Sequence, residues 1–303
     1  METTIIRARD LNEAWFLCVK EAWYNGREYT IQKGSFEGER RREIPLVDVE
    51  VMYPGTLPLS PSLPEGVPPV ATEEVIHEYM LYLMTSDKKA GEDYTYGEDL
   101  SPQIPEVICR YKEWGFNTNR LCMSVGSRDS LFEYRKEEVG RKASSQCLRL
   151  IDTRIQDGAL HFVVYFRSWD LWAGFPINMG GLQLLKKYMA DEIGVRDGRL
   201  IAISKGLHLY EHTFDFAKAV LRVPPDVVKS LEIVQAVRFL GTDRVMVSGP
   251  QEVQLRPLQG KAYSEIRDQV LELSSERTKF YHHRTLEDHN QPVEKKEVSR
   301  DGW

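Results

Sequence analysis

Several features that would organise a chain from outside an ordinary core are missing here. The 303 residues include only four cysteines, Cys18, Cys109, Cys122 and Cys147, with no C-x-x-C pair and no histidine at zinc-ligand spacing. A disulfide framework and a structural zinc site are therefore not expected, and free thiols in a reducing compartment are. No apolar run reaches the roughly 20 residues that a membrane-spanning helix needs, and the opening METTIIRARDLNEA has no signal-peptide hydrophobic region. The expectation is a cytoplasmic protein without membrane contact. Positive charge is not in surplus either: the formal net charge is -6, which argues against binding nucleic acid through a basic face and leaves room only for a local basic pocket around a small phosphate. No internal repeat is visible. What is present is a 42% hydrophobic, 28% charged composition, ordinary for a globular protein and sufficient for a sizeable core. The length suits one large domain.

In chain order, Asp10 and Glu13 form a capping-box pattern ahead of Ala14, Leu17, Cys18 and Ala22 at helical spacing, predicting a helix that ends near Asn25-Gly26. Arg27 to Ile31 reads as a strand. The charged run Glu39-Arg40-Arg41-Arg42 leads into Pro45 to Met52, whose strict alternation marks a half-buried strand, and the two strands together predict a meander at one sheet edge. Residues 54–70 hold six of the fifteen prolines and read as an extended connection. A threonine cap at Thr72 opens a helix through Met84. Pro105 to Trp114 reads as helix and Arg120 to Val125 as a buried strand. Residues 130–145 read as a charged loop, 212–222 and 225–238 as helices, 243–248 as a strand and 263–273 as a last helix. The polar tail 287–303 ends in Asp301-Gly302-Trp303.

The chemistry concentrates between Cys147 and Tyr210. Asp157-Gly158 lies between two alternating runs, a strong hairpin signal, and a two-residue loop there sets Cys147 opposite Ser168 and beside Arg167. A thiol next to a guanidinium is expected to have a lowered pKa. Asp170 and a Gly174-Phe175-Pro176 turn follow, then Asn178 at the head of a helical pattern, where it would by default be an N-cap. His208 and Tyr210 alternate on one face of a later strand. One stretch thus supplies a soft nucleophile, an anion-binding arginine with a neighbouring hydroxyl, a carboxylate, a carboxamide and a His/Tyr pair.

The order and gaps of Cys147, Arg167-Ser168, Asp170, Asn178 and His208-Leu209-Tyr210 resemble the thymidylate synthase family, most of all its methanogen-type branch. The usual Pro-Cys-His around the nucleophile is replaced by Gln146-Cys147-Leu148. The resemblance extends from about residue 10 to 125. There, His77-Glu78 looks like the family's helix with its catalytic glutamate, Tyr96-Gly97 like its Tyr-Gly, and Arg120 like one of its arginine pair, with Asn119 where the other would stand. Arg27 precedes a strand where the family has its mobile phosphate-clamping arginine, and Arg40, Arg41 and Arg42 are the alternatives. Between Glu78 and Tyr96, where the family presents tryptophans to its cofactor, this chain has none.

The resemblance implies an α/β fold with a mixed sheet covered by helices, as one catalytic domain over 1–286 with 287–303 as a candidate lid. It implies a homodimer in which Arg120 crosses to the partner. The implied activity is reductive methylation of dUMP to dTMP through a Cys147 adduct, with 5,10-methylenetetrahydrofolate or a tetrahydromethanopterin analogue as cosubstrate and no metal. Glu78 and Tyr96 would assist Cys147, a soft nucleophile suited to carbon 6 of a uracil ring. Arg167, Ser168, Arg120 and Arg27 would hold phosphate, and His208 and Tyr210 the deoxyribose hydroxyl. Asn178 can donate to a uracil O4 and accept from N3–H. Asp170 and the neighbouring Gly174 would meet the pterin. The alternatives are a pyrimidine nucleotide 5-hydroxymethylase acting on dUMP, dCMP or CMP, and a non-catalytic nucleotide-binding paralogue.

Overall fold

In a computed structural model, the protein is described over residues 1–222, apart from 35, 65–66, 89–93 and 136–144, and over three later strands. The elements in chain order are β1 (Thr4–Ala8), α1 (Leu11–Tyr24), β2 (Arg27–Thr30), β3 (Arg40–Ile44), β4 (Val47–Val51), α2 (Glu73–Met84), α3 (Gly97–Leu100), α4 (Gln103–Trp114) and β5 (Cys122–Ser124). They continue with β6 (Leu148–Gln156), β7 (Ala159–Phe166), β8 (Trp169–Asp170), α5 (Gly174–Ile193), β9 (Arg196–Ser204), β10 (Leu207–Tyr210) and α6 (Phe214–Leu221). Last come β11 (Ala236–Leu240), β12 (Arg244–Ser248) and β13 (Val253–Pro257).

The main sheet has the order β1-β4-β9-β7-β6-β5, with β1/β4 and β7/β9 parallel and the other pairs antiparallel. One face is covered by helices. Leu160, Phe162, Val164 and Phe166 of β7 are fully buried there, as are Phe175, Met179, Leu182 and Leu185 of α5. A smaller sheet, β2-β3-β10-β8, stands beside it, and β11 to β13 form a third, antiparallel sheet. The result is the mixed α+β architecture expected.

Local signals account for many of the elements. Asp10 accepts the Glu13 backbone N–H at 3.0 Å and Glu13 accepts that of Arg9 at 2.6 Å, so the cap of α1 is satisfied from both sides. Asp157 and Gly158 both take positive φ, 52° and 69°, as the two central residues of the tightest hairpin turn require. Helices α2 and α5 approach closely at Gly180-Gly181. A Cβ on Gly181 would come within 2.4 Å of the Tyr79 ring and one on Gly180 within 2.7 Å of Ile76, so the pair of glycines fixes how near the Glu78 helix sits to α5.

Several expectations change. The Arg40–Arg42 run is itself a strand, β3, and the two strands expected as one meander lie in different sheets, β2 in the small one and β4 in the main one. The strand expected over Arg120 to Val125 shortens to the three residues of β5, an edge strand whose side chains are exposed at both ends. Gly174-Phe175-Pro176 is not a turn but the first turn of α5, where proline is tolerated because its missing N–H has no helical partner anyway. Residues 236–238, expected as the end of a helix, belong instead to the strand β11, which pairs antiparallel with β12. The expected helix over 263–273 and the tail ending in Asp301-Gly302-Trp303 lie outside the described residues.

Candidate active site

The β6–β7 hairpin keeps the register of a two-residue loop from Gln156/Ala159 to Leu150/Tyr165, then shifts by one between Leu150 and Leu148, which pairs with Phe166. This bulge at Arg149 corrects the expected pairing: Cys147 stands opposite Arg167, not Ser168, and the Arg167 backbone N–H donates to the Cys147 carbonyl at 2.9 Å. A bulge also bends its strand and re-aims the residues beyond it. The Arg167 side chain then folds back over the strand entry, donating from Nε to the Gln146 carbonyl at 3.0 Å and from Nη2 to the Ser145 carbonyl at 2.7 Å. Half-buried Ser168 continues the chain into β8.

The small sheet supplies the rest. Its registers set Tyr210 beside Arg41 and Arg41 beside Tyr29, and set His208 beside Glu43 and Asp170. Because strand side chains alternate, Arg41, Tyr29, Glu43, His208 and Tyr210 share one face, while Arg40 and Arg42 point away. Those two are spent elsewhere, Arg40 on Glu211 and Glu28, Arg42 on Glu28 and the Trp23 ring. Arg41 reaches the hydroxyls of Tyr29 and Tyr210, each at 3.2 Å, and its buried Nε has no partner among the described residues. Arg27 begins β2 on the same face but at its exposed rim, above the Tyr29 ring. Of the arginines proposed at this end of the chain, only Arg41 is inside. Its sequence signal was present, since it sits in the position of the triplet that alternation turns the other way.

Burial pushes the Cys147 thiol above the ordinary cysteine range, while Arg167 and Arg41 pull it down, Asp170 raises it and Arg149 lowers it. The expectation of a lowered pKa is thus corrected: the guanidinium is adjacent, but removal of the thiolate from water outweighs it. Tyr96 lies close to Cys147. Its hydroxyl accepts the Leu148 backbone N–H at 3.4 Å, and burial, with Tyr94, Tyr79 and Cys147 nearby, raises the phenol well above its usual range. It is the centre of a group with Tyr79, Tyr82 and Tyr94, whose ring centroids lie 6.3, 5.4 and 5.6 Å from its own.

Burial, with the nearby charge of Arg41, pushes the His208 imidazole down to about 3. The ring is neutral at physiological pH. Its Nδ1 is 2.8 Å from the Gly206 carbonyl, which can only accept, so Nδ1 carries the proton and the buried Nε2, without a partner among the described residues, is an acceptor. Asp170 takes the backbone N–H of Trp172 on Oδ1 at 3.2 Å, and those of Ala173 and Gly174 on Oδ2 at 3.2 and 2.9 Å. It, rather than Asn178, satisfies the start of α5. Burial raises its pKa although these three N–H groups oppose the shift. Asn178 is therefore not an N-cap but lies in the second turn, where it accepts the Trp169 indole N–H at 2.8 Å.

The structure gathers Cys147, Arg167, Asp170, Tyr96, His208 and Tyr210 around one locus, with Arg41 added. Glu78 is half-buried on α2, one residue before Tyr79 of the tyrosine group. Arg120 is outside the locus in its own chain, exposed beyond the edge strand β5.

A thiol flanked by guanidinium groups, with a neutral histidine acceptor on a buried polar face, is an arrangement able to add covalently to a small anionic substrate. The thymidylate synthase family model matches residues 121–249 of this chain. Among its relatives, a protein named "Putative thymidylate synthase" from Methanosarcina acetivorans is 28% identical over 72% of this chain and 94% of its own. One of the same name from Methanothermobacter thermautotrophicus is 26% identical over 72% and 98%. Thermostable thymidylate synthase A from Bacillus subtilis is 17% identical with a TM-score of 0.52, covering 70% of this chain and 84% of that one, and so shares the fold.

Proposed function

We propose that this protein methylates dUMP to dTMP. The observation that carries the reading is the placement of Cys147 between Arg167 and Arg41 at the junction of the two sheets. In this reading the phosphate lies against the two guanidinium groups, with Ser168 as a further donor, and Nε2 of His208 accepts the sugar hydroxyl beside Tyr210. The Cys147 sulfur bonds to carbon 6 of the uracil, and the electron pair displaced to carbon 5 makes that carbon the nucleophile for the one-carbon unit. The carbon 5 proton is lost as the bond from the transferred carbon to the pterin nitrogen breaks, the exocyclic methylene left on carbon 5 takes a hydride to become the methyl group, and the electron pair so returned to carbon 5 expels the Cys147 sulfur from carbon 6. Glu78 and Tyr96 serve as the acid/base pair. A methylene-carrying reduced pterin, of the folate or methanopterin type, supplies the carbon and the hydride. The faces of Tyr79, Tyr82, Tyr94 and Tyr96 fit a flat heteroaromatic ring in place of the absent tryptophans, and Asp170, though engaged by three N–H groups, keeps acceptor capacity for one more donor.

Those tyrosines also favour a second reading, 5-hydroxymethylation, in which water takes the place of hydride, because a phenol-rich surface is more easily wetted than an indole one. Mass analysis of products from dUMP, dCMP and CMP with methylenetetrahydrofolate decides: dTMP is expected, a 5-hydroxymethyl nucleotide establishes the second reading, and no product from any of the three overturns both.

Residues 1–286 act as one cytoplasmic catalytic domain, and two copies pair through the main sheet. The face of that sheet away from α5 carries Val163, Tyr165, Ile201 and Ile203, each only half-buried in a single chain, and the register sets them side by side between Asp48, Glu50 and Asp152. Such a pairing would let the exposed Arg120 serve the partner's site. Tyr165→Glu places a charge twice in a two-fold interface, a desolvation cost of about several kcal/mol. The variant is expected to sediment as a monomer where the native protein is a dimer. A monomeric native protein removes the partner from the site.

A further inference from the structure

Trp169 lies between the residues that the family pattern uses, Ser168 and Asp170, and has no role in the reading above. It is buried and stacked on two rings, against Phe166 at 4.1 Å with an interplanar angle of 6° and against Phe175 at 4.6 Å with one of 28°. Its backbone is fixed as well, pairing with Leu207 in the small sheet and donating its N–H to the Gly206 carbonyl at 3.1 Å. That carbonyl is the one that holds His208 in its tautomer. The indole has no freedom to turn, and its N–H points to Oδ1 of Asn178 at 2.8 Å.

An indole nitrogen only donates, and a carboxamide has one end that accepts and one that donates. Trp169 therefore sets which end of Asn178 is which. With Oδ1 held, the NH2 group is the end left to project away from the indole, and among the described residues it has no protein partner. We infer that Trp169 is a positioning residue that fixes the amide of Asn178 in the orientation that reads a 4-oxo pyrimidine and rejects a 4-amino one. The inference rests on the proposal that this site binds a pyrimidine nucleotide. A 4-oxo group accepts from the projected NH2, and N3–H finds the second lone pair of Oδ1. A 4-amino group meets donor with donor. Turning the amide to accommodate it would set NH2 against the indole N–H and leave that buried donor without an acceptor. Rejection thus comes from a residue that does not touch the base, by the same logic that makes buried polar groups discriminate better than apolar ones.

Trp169→Phe keeps an aromatic ring against Phe166 and Phe175 and removes only the N–H. Calorimetric binding of dUMP and dCMP to the full-length protein is expected to show the preference for dUMP falling at least tenfold, mainly through a gain in dCMP affinity. In an Asn178→Ala background the same change is expected to leave the ratio where it was. A purely structural role for Trp169 lowers both affinities together, and an unchanged ratio overturns the inference. Should Trp169→Phe not fold, the Trp169 indole N–H can be followed by nitrogen-15 NMR in the native protein and in Asn178→Ala. Its exchange with solvent is expected to quicken at least tenfold in the variant, and equal rates overturn the inference. If native protein binds neither nucleotide, the functional proposal fails while the exchange measurement still decides whether Trp169 holds Asn178.

Discussion

Replacing Cys147 by serine is expected to lower turnover of the nucleotide by about 10^4-fold, roughly 5.4 kcal/mol of barrier, while leaving its affinity within about tenfold. A hydroxyl is a far weaker nucleophile at neutral pH than a thiolate, and the exchange of one atom disturbs little else, because the neighbouring contacts run through the backbone: the Cys147 carbonyl to Arg167 and the Leu148 N–H to Tyr96. The measurement is single-turnover product formation alongside equilibrium binding. Near-native turnover in the variant would remove covalent catalysis by this residue. The raised pKa of the thiol carries a corollary for the native protein. Since the folded protein holds the proton more tightly than an exposed cysteine, alkylation of Cys147 by iodoacetamide rises with pH through a range above the ordinary cysteine one, and the other three thiols are separated by peptide mapping.

The second large effect concerns Arg41. Changing it to methionine keeps the apolar stem but removes a charge that lowers the Cys147 pKa and a donor to Tyr29 and Tyr210. The sign is fixed: without the cation the thiol pKa rises further, the thiolate fraction at pH 8 falls, and alkylation slows. In the proposed phosphate site, loss of one of the two guanidinium groups is expected to reduce kcat/KM at least a hundredfold, about 2.7 kcal/mol. Arg40→Met serves as the comparison, because its guanidinium pairs with Glu211 and Glu28 on the opposite face of the same strand, and it is expected to keep activity within about threefold. Equal effects of the two changes would show that the strand, and not the charge at the site, matters.

Much of the local structure was determined by neighbouring residues alone. Asp157-Gly158 forces a tight hairpin because both positions must take positive φ, and Asp10 with Glu13 begins a helix because they satisfy its first N–H groups. The spacing from Cys147 to Tyr210 likewise named most of the residues that the structure brings together. What the sequence by itself left open was everything set by contacts between distant segments. The small sheet joins strands from residues 27, 40, 169 and 207 onward, and no periodicity within a segment says which other segment it will pair with. That pairing selects Arg41 over Arg27. A single bulge at Arg149 moves Cys147 from Ser168 to Arg167, and a bulge has no signature in an alternating pattern until the partner strand is in place. The sign of the Cys147 shift was open for the same reason: a neighbouring charge is visible in sequence, whereas the loss of water around the sulfur exists only once the sheets, α5 and Tyr96 have closed around it.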